Sequence, residues 1–390
     1  MKSSSIAVCG TGLVGLAAAL GLARAGCKPC LLGPRQPPAP AERDVYHPRV
    51  YAVSPPAQGF LQELGVWGLL DAKRITAVEG MQVHGDAGGS VDLRAWQRMQ
   101  PALAWIVESG ELERGLYQAL QIFGVDWLED RFERLTPEGL ATASGRELAA
   151  QLVIGADGMH SAVRQAAGIA FTERDYHQVG LVAHLTAQVP HDGIARQWFV
   201  DGEVVALLPM PDTAQGPQVS LVWSMERSRA QAVLAMASEA RAEYVQALLA
   251  AVTGGCLGTL AVRADVLGFP LTLAYSDMIA PGVALVGDAA HRVHPLAGQG
   301  LNLGLGDVEH LLRVLVEKPA LVSPGDETIL RRYRRARAEP VWAMRMATDG
   351  LHRLFAADLP PLVLGRNLGM KLVDRLPWVK QRLIAAASNN

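Results

Sequence analysis

A chain of 390 residues, half of them hydrophobic and 19% charged, can bury more than one core and is too apolar for disorder. Its formal net charge of -2 argues against a polyanionic partner, nucleic acid included. Four cysteines, Cys9, Cys27, Cys30 and Cys256, do not make a disulfide scaffold, so a reduced, cytoplasmic protein is expected. Cys27 and Cys30 form a C-x-x-C with no second Cys/His pair, which reads as packing and not as a metal site.

In chain order, Ile6 to Cys9 reads as a buried strand, Leu13 to Ala25 as an Ala/Leu-rich helix and Lys28 to Leu32 as a second strand. This β-α-β unit opens a doubly wound parallel sheet. The apolar stretch from Ile6 to Leu22 could pass for a signal peptide, but its glycines divide it into strand, turn and helix. Pro34 to Ala41 is a Pro-rich loop, Ala57 to Leu70 a helix, Met81 to Leu93 a hairpin turning on Gly88-Gly89, Glu111 to Phe123 a helix and Leu152 to Gly155 a strand. From Gln178 to Met225 alternating segments predict antiparallel strands, with Leu207 to Pro211 between them as part of a substrate-covering sheet. Ala230 to Val252 is expected to be helical and Val283 to Val286 a strand. The remainder reads as helical, broken at Pro319, Pro324 and Pro360-Pro361. The basic run Arg331, Arg332, Arg334, Arg335 and Arg337 falls on one of these helices and reads as a solvated face.

Three motifs carry chemistry. Gly10-x-Gly12-x-x-Gly15 joins the first strand to the first helix, where Gly10 permits the turn, Gly12 lets backbone approach a pyrophosphate and Gly15 lets helix and strand pack closely. The helix N-terminus, with Leu13 and Val14 in its first turn, offers free N–H groups to phosphates. The acid expected at the end of the second strand to bind ribose is replaced by Gly33, which leaves room for another contact, such as Arg35. The second motif is Gly155-Ala156-Asp157-Gly158 followed by Ser161 and Arg164. An ordinary capped strand-to-helix turn would explain it alone. The third runs from Gly287-Asp288-Ala289-Ala290-His291 through His294-Pro295-Leu296-Ala297-Gly298-Gln299-Gly300-Leu301-Asn302. Asp288 can accept from sugar-like hydroxyls, and the helix beginning near Gly298 to Asn302 can face an electron-rich ring oxygen. His291 and His294 read as packing beside this loop, with no acid/base role assigned.

In this order and wording, the three motifs resemble the class A flavin monooxygenases, and the third resembles their ubiquinone-biosynthesis hydroxylase family. Arg49 matches that family's D-x-R-x-x-A-L segment, with His47 in place of the acid, and Val107-Glu108-Ser109 is similar to its V-E-N segment. The segments Leu354-Phe355 and Gly365 to Gly369 resemble its C-terminal helical region.

The resemblance implies an α/β fold: a glutathione-reductase-like FAD domain from 1–75, 100–175 and 275–340, a substrate-covering antiparallel sheet from 76–99 and 176–274, and a helical segment at 341–390. It implies non-covalent FAD, reduction by NAD(P)H, and transfer of one atom of O2 through a flavin hydroperoxide to a polyprenylated phenol. FAD would lie on Gly10, Gly12, Leu13, Val14, Gly15, Arg49, Asp157, Asp288, Pro295, Gly298, Gly300, Leu301 and Asn302. His294, Pro295 and Gly298 would meet the reacting edge of the flavin, and Leu208, Pro209 and Trp223 the substrate. A scaffold role among other ubiquinone-biosynthesis proteins, or hydroxylation of another aromatic, are the competing readings. A peripheral contact with the inner membrane through Leu359 to Leu383 is a further expectation.

Overall fold

The structure is a computed structural model and describes residues 2–3, 5–39, 42, 44–293, 299–356 and 360–388. A six-stranded sheet organises the first lobe, in the order Ile279–Ala280, Val283–Leu285, Leu152–Gly155, Ile6–Cys9, Pro29–Leu32, Asp126–Leu128. All its neighbours are parallel except the first pair. Its inner strands are buried on both faces, and that accounts for their unbroken apolar runs. Helices α1 (Leu13–Arg24), α3 (Ser109–Phe123) and α7 (Gly300–Val316) share its core.

The second lobe is a nine-stranded sheet built on the long strands Phe171–Ala187, Glu203–Thr213, Gly216–Glu226 and Leu267–Ser276. The hairpin Gly80–His84 and Ser90–Arg94 belongs to this sheet, because Gly80–His84 pairs in parallel with Ile194–Val200. The sheet's outer face is covered by two helices, Arg227–Leu234 and Ser238–Thr253, over a core containing Trp223, Leu221 and Leu249.

Several boundaries differ from expectation. The helix expected over Ala57 to Leu70 covers only Pro55–Glu63, because Gly65 takes φ +72 and a separate turn follows at Trp67–Leu69. The helix expected over Ala230 to Val252 is two helices, since residues 235–237 leave helical geometry between them. The boundary expected at 340/341 falls inside α8 (Glu327–Ala356), which carries Pro340 in its interior. Two further helices follow, α9 (Pro360–Arg375) and α10 (Pro377–Ser388).

The basic run on α8 is not uniformly solvated. Arg331, Arg332 and Arg334 pair at the surface with Glu327, Glu317 and Asp277. Arg337 is instead 1% exposed, with its Nε 2.7 Å from Asp307 Oδ1, because α8 packs that face onto α7. Cys27 and Cys30 are not joined in a disulfide; Cys30 is buried and Cys27 half-buried, and both pack with the first core.

Candidate active site

The first strand ends at Cys9, and the turn that follows must pass close to the neighbouring strand's exit. Gly10 takes φ +117, and a Cβ there would stand 2.2 Å from the Ala156 carbonyl oxygen. A Cβ on Gly15 would stand 2.1 Å from the Gly10 carbonyl oxygen, so the two glycines set the strand–helix spacing. Gly12 is different: a Cβ there would meet nothing within 4 Å. It is the N-cap of α1, in extended conformation, and no side chain caps the helix. The first-turn N–H groups therefore remain open to a ligand.

A cavity of about 470 Å³ lies between this turn and the large sheet. One wall comprises Gly12, Leu13, Val14, Ala156, Gly158, Asp288, Gly300 and Leu301. The opposite wall is side chains of the sheet, among them Gln197, Val204, Ala206, Leu208, Ser220, Val222 and Ser224. Arg49 and Tyr51 stand at the side, with the Arg49 guanidinium 5.5 Å from the Phe269 ring centroid.

The sheet wall corrects two expectations. Register pairs Val204 with Ser224, Ala206 with Val222 and Leu208 with Ser220, and these residues face the cavity. Side chains alternate along a strand, so Pro209 and Trp223 point the other way. Neither lines the cavity; Trp223 is 2% exposed in the outer core and donates its Nε1 hydrogen to Glu203 at 2.9 Å. Leu208, on the correct parity, does line it.

The nucleotide-side wall is held from behind by a buried ionic cluster. Asp307 Oδ2 accepts from the Gly287 N–H at 2.9 Å and lies 2.7 Å from His291 Nε2. Its Oδ1 accepts from Arg337, which also donates to the Leu303 carbonyl. Burial alone would raise the Asp307 carboxyl, but His291 and Arg337 hold it below the ordinary carboxylate range. The adjacent Tyr333 hydroxyl donates to the Leu285 carbonyl at 2.8 Å, and burial pushes its pKa well up. Strand end, α7 and α8 are thereby tied beneath Asp288, which is itself exposed to the cavity.

Other motif residues act through backbone. Arg164 donates to the carbonyls of Ala289 and Met159, which joins the second motif to the third. Asp157 Oδ2 accepts from the Val163 N–H at 3.2 Å, while Oδ1 is buried without a partner. Asn302 does not line the large cavity. Its Oδ1 accepts from the Ser54 N–H and its Nδ2 donates to the Ala52 carbonyl and Gln299 Oε1, so it straps α7 to the strand carrying Tyr51. His294, Pro295 and Gly298 lie outside the described residues.

Gly33 follows from local geometry. It takes φ +148, a Cβ there would approach Thr11 Cγ2 to 2.7 Å, and its carbonyl accepts from Trp127 Nε1. Arg35 does not reach into the large cavity; its guanidinium stands 5.6 Å from the Trp127 ring and its Nε donates to Tyr117.

The residues present fit FAD. The open Gly12 cradle, the uncapped α1 N-terminus, the orphaned Asp157 oxygen and the cavity-facing Asp288 together supply N–H groups for phosphate and carboxylates for hydroxyls. Glu113, Tyr51, Arg292 and the polar sheet residues Gln197, Ser220 and Ser224 also line the cavity and were missed by motif reading. Only the period-2 pattern of the strands could have found the last three, and only with the register known.

A family model described as an FAD binding domain matches residues 3–348. The 3-demethoxyubiquinol 3-hydroxylase of Escherichia coli (strain K12) is 32% identical, with 99% of this chain and 98% of the relative covered. The ubiquinone hydroxylase UbiL of Rhodospirillum rubrum is 31% identical over 97% of this chain and 88% of its own. The crystal structure of PqsL, a probable FAD-dependent monooxygenase from Pseudomonas aeruginosa, superimposes with a TM-score of 0.76 at 21% identity, covering 93% of this chain and 99% of that one. That likeness speaks for the fold alone.

Proposed function

The chain belongs to the family of FAD-dependent hydroxylases of ubiquinone biosynthesis, and on that premise we propose that it hydroxylates the ring of a polyprenylated phenol, with NAD(P)H as electron donor and O2 as oxidant. The observation that carries this reading is the single cavity shared by the Gly12 turn and the sheet wall. A cofactor held on one side would face a ring held on the other.

FAD, when bound, supplies the electron transfer and oxygen activation. The chain's own residues bind, orient and exclude water. The α1 N-terminus and Gly12 would hold the pyrophosphate, and Asp157 and Asp288 the hydroxyls of the ribose and ribityl chain. The α7 N-terminus, at Gly300 and Leu301, would face the ring oxygens with its positive end and favour the electron-rich form. Arg49 would contribute a cation at the cavity's side. Val182, Ala206, Leu208, Val222 and Leu271 line the opposite wall with apolar surface, the environment that keeps water from an activated oxygen.

The tail of such a substrate is lipid-like, and the C-terminal helices suit a lipid surface. Trp342, Met346 and Leu351 on α8 and Leu364, Leu368 and Leu372 on α9 are exposed. Residues 341–390 carry seven Lys or Arg against three Asp or Glu, in a chain whose overall charge is -2. That asymmetry favours an anionic membrane as the occupant of this face. Among the described residues no helix is long and apolar enough to cross a membrane. Flotation with anionic vesicles that weakens on Leu364, Leu368 and Leu372→Ser supports it; equal flotation of both proteins removes it.

The reaction is tested with purified, FAD-loaded protein, a short-chain prenylated phenol and isotopically labelled O2. NAD(P)H oxidation stimulated by the phenol, with one labelled oxygen in the product, is expected. Oxidation that never responds to any prenylated phenol would reject the proposal.

A further inference from the structure

Two departures from the family's segments, His47 in place of the acid and Ser109 in place of the Asn, meet at one residue. Strand pairing sets Val50 opposite Glu108, which brings Arg49 beside Ser109. The Arg49 N–H donates to His47 Nδ1 at 3.1 Å, and the Arg49 carbonyl accepts from the Ser109 N–H at 2.9 Å. Both backbone groups of Arg49 are therefore held, while its guanidinium stands by the Phe269 ring at the side of the cavity.

The His47 contact has a definite sense. An N–H can only donate, so Nδ1 is the acceptor and carries no proton. Nδ1 also lies 3.3 Å from the Arg49 carbonyl, but that oxygen is already served by Ser109. A side chain that accepts from the N–H two residues on makes the turn typical of Asp and Asn. This chain makes it elsewhere with both kinds of side chain. Asp175 Oδ1 accepts from the His177 N–H at 2.8 Å, and His191 Nδ1 accepts from the Gly193 N–H at 3.1 Å. An imidazole at position 47 thus does locally what a carboxylate would do.

His47 is itself gripped on both backbone groups. Its N–H donates to Glu108 Oε2 at 2.5 Å, and Glu108, which is buried, is paired with Arg74 at 2.7 Å. Its carbonyl lies 2.9 Å from His184 Nε2 and can only accept, so the His184 proton sits on Nε2. The gripped carbonyl belongs to the peptide bond into Pro48, whose ring locks φ. Peptide planarity then leaves the ψ of Pro48 and the φ of Arg49 as the soft backbone torsions between this peptide and the Arg49 Cβ. A hold on His47 is carried almost rigidly to Arg49.

We propose that His47 is a positioning residue that takes over the acid's place in this segment: it sets Arg49 against the cofactor, and Glu108 and His184 act through the His47 peptide. This rests on the reading of Arg49 as a cofactor contact given above.

The test titrates the full-length apoprotein with FAD, follows flavin fluorescence, and measures the urea midpoint of each apoprotein. Arg49→Leu should weaken FAD binding about tenfold, and His47→Leu about threefold to tenfold. The double variant should stay within about twofold of Arg49→Leu alone, because His47 acts only through Arg49. His47→Asp should restore the wild-type Kd, since its carboxylate accepts the same N–H. His184→Leu should weaken binding, and His184→Gln, whose amide can donate to the same carbonyl, should recover it. His47 is exposed, so its variants should keep the wild-type urea midpoint. Losses that multiply in the double variant, a His47→Asp protein that binds as poorly as His47→Leu, or a lowered midpoint with an unchanged Kd overturns the assignment and leaves the hydroxylase reading standing. An Arg49→Leu protein with the wild-type Kd removes Arg49 from the cofactor and overturns the assignment too. A wild type that binds no FAD rejects the flavin reading itself, and the assignment falls with it.

Discussion

The two walls of the cavity follow different rules. The nucleotide-side wall is made largely of backbone: glycines, a strand end and the uncapped starts of α1 and α7. The sheet wall is made of side chains taken at every second residue from antiparallel strands. A backbone wall needs particular residue types at fixed spacing, so it leaves a mark in the sequence. A side-chain wall needs only the right parity, and a shift of one residue exchanges its inner and outer faces.

That difference yields predictions of graded size. Asp307 supports the backbone wall from behind, and Asp307→Ala would leave Arg337 buried with an uncompensated charge. A loss of about 3–5 kcal/mol is expected, read as a fall in the urea midpoint together with weaker FAD binding. On the sheet, neighbouring residues should behave oppositely. Trp223→Ala should cost about 3–5 kcal/mol of stability through the outer core. Val222→Ala, one residue away, should cost within about 1 kcal/mol yet raise KM for the phenol, since it opens the cavity floor. Similar KM effects from both would break the parity argument.

Gly33→Glu tests whether the backbone wall accepts a carboxylate at the fingerprint position. With φ +148 and Thr11 against it, the variant should lose about 1–3 kcal/mol and bind FAD no more tightly. A tighter FAD complex with unchanged Tm would contradict that reading.

The smallest expected effect is one of pH. His184 is 5% exposed, its Nε2 lies 2.9 Å from the His47 carbonyl, and its Nδ1 is buried without a partner. Burial holds its pKa below the ordinary value. The unfolded chain therefore takes up a proton that the folded protein resists. The contribution to stability is fully present above about pH 6.5 and is lost as pH falls from there through the folded pKa. Urea midpoints measured downward from about pH 8 to about pH 5 should decline less for His184→Gln than for the wild type.

Much of the first lobe was legible in the sequence. Ile6–Cys9, Leu152–Gly155 and Val283–Leu285 are unbroken apolar runs because both faces of that sheet are covered, and each ends in a glycine-bearing turn. The misreadings arose where tertiary contacts decide. Arg337 has the residue type of its solvated neighbours and differs only in facing α7. Asn302 sits in the most informative motif, yet its side chain holds the Ala52–Ser54 backbone and does not face the large cavity. Trp223, expected to meet the substrate, is a core residue, because strand register, invisible in one strand alone, sets which face it takes.

The division of labour between the walls is tested most directly by Ala206→Phe, which fills the sheet floor opposite Gly12. The Kd for FAD and the phenol-stimulated rate of NAD(P)H oxidation would be measured on the same preparation. An unchanged FAD Kd with loss of most phenol stimulation is predicted. Lost FAD binding, or full phenol stimulation despite the bulky ring, would contradict the account.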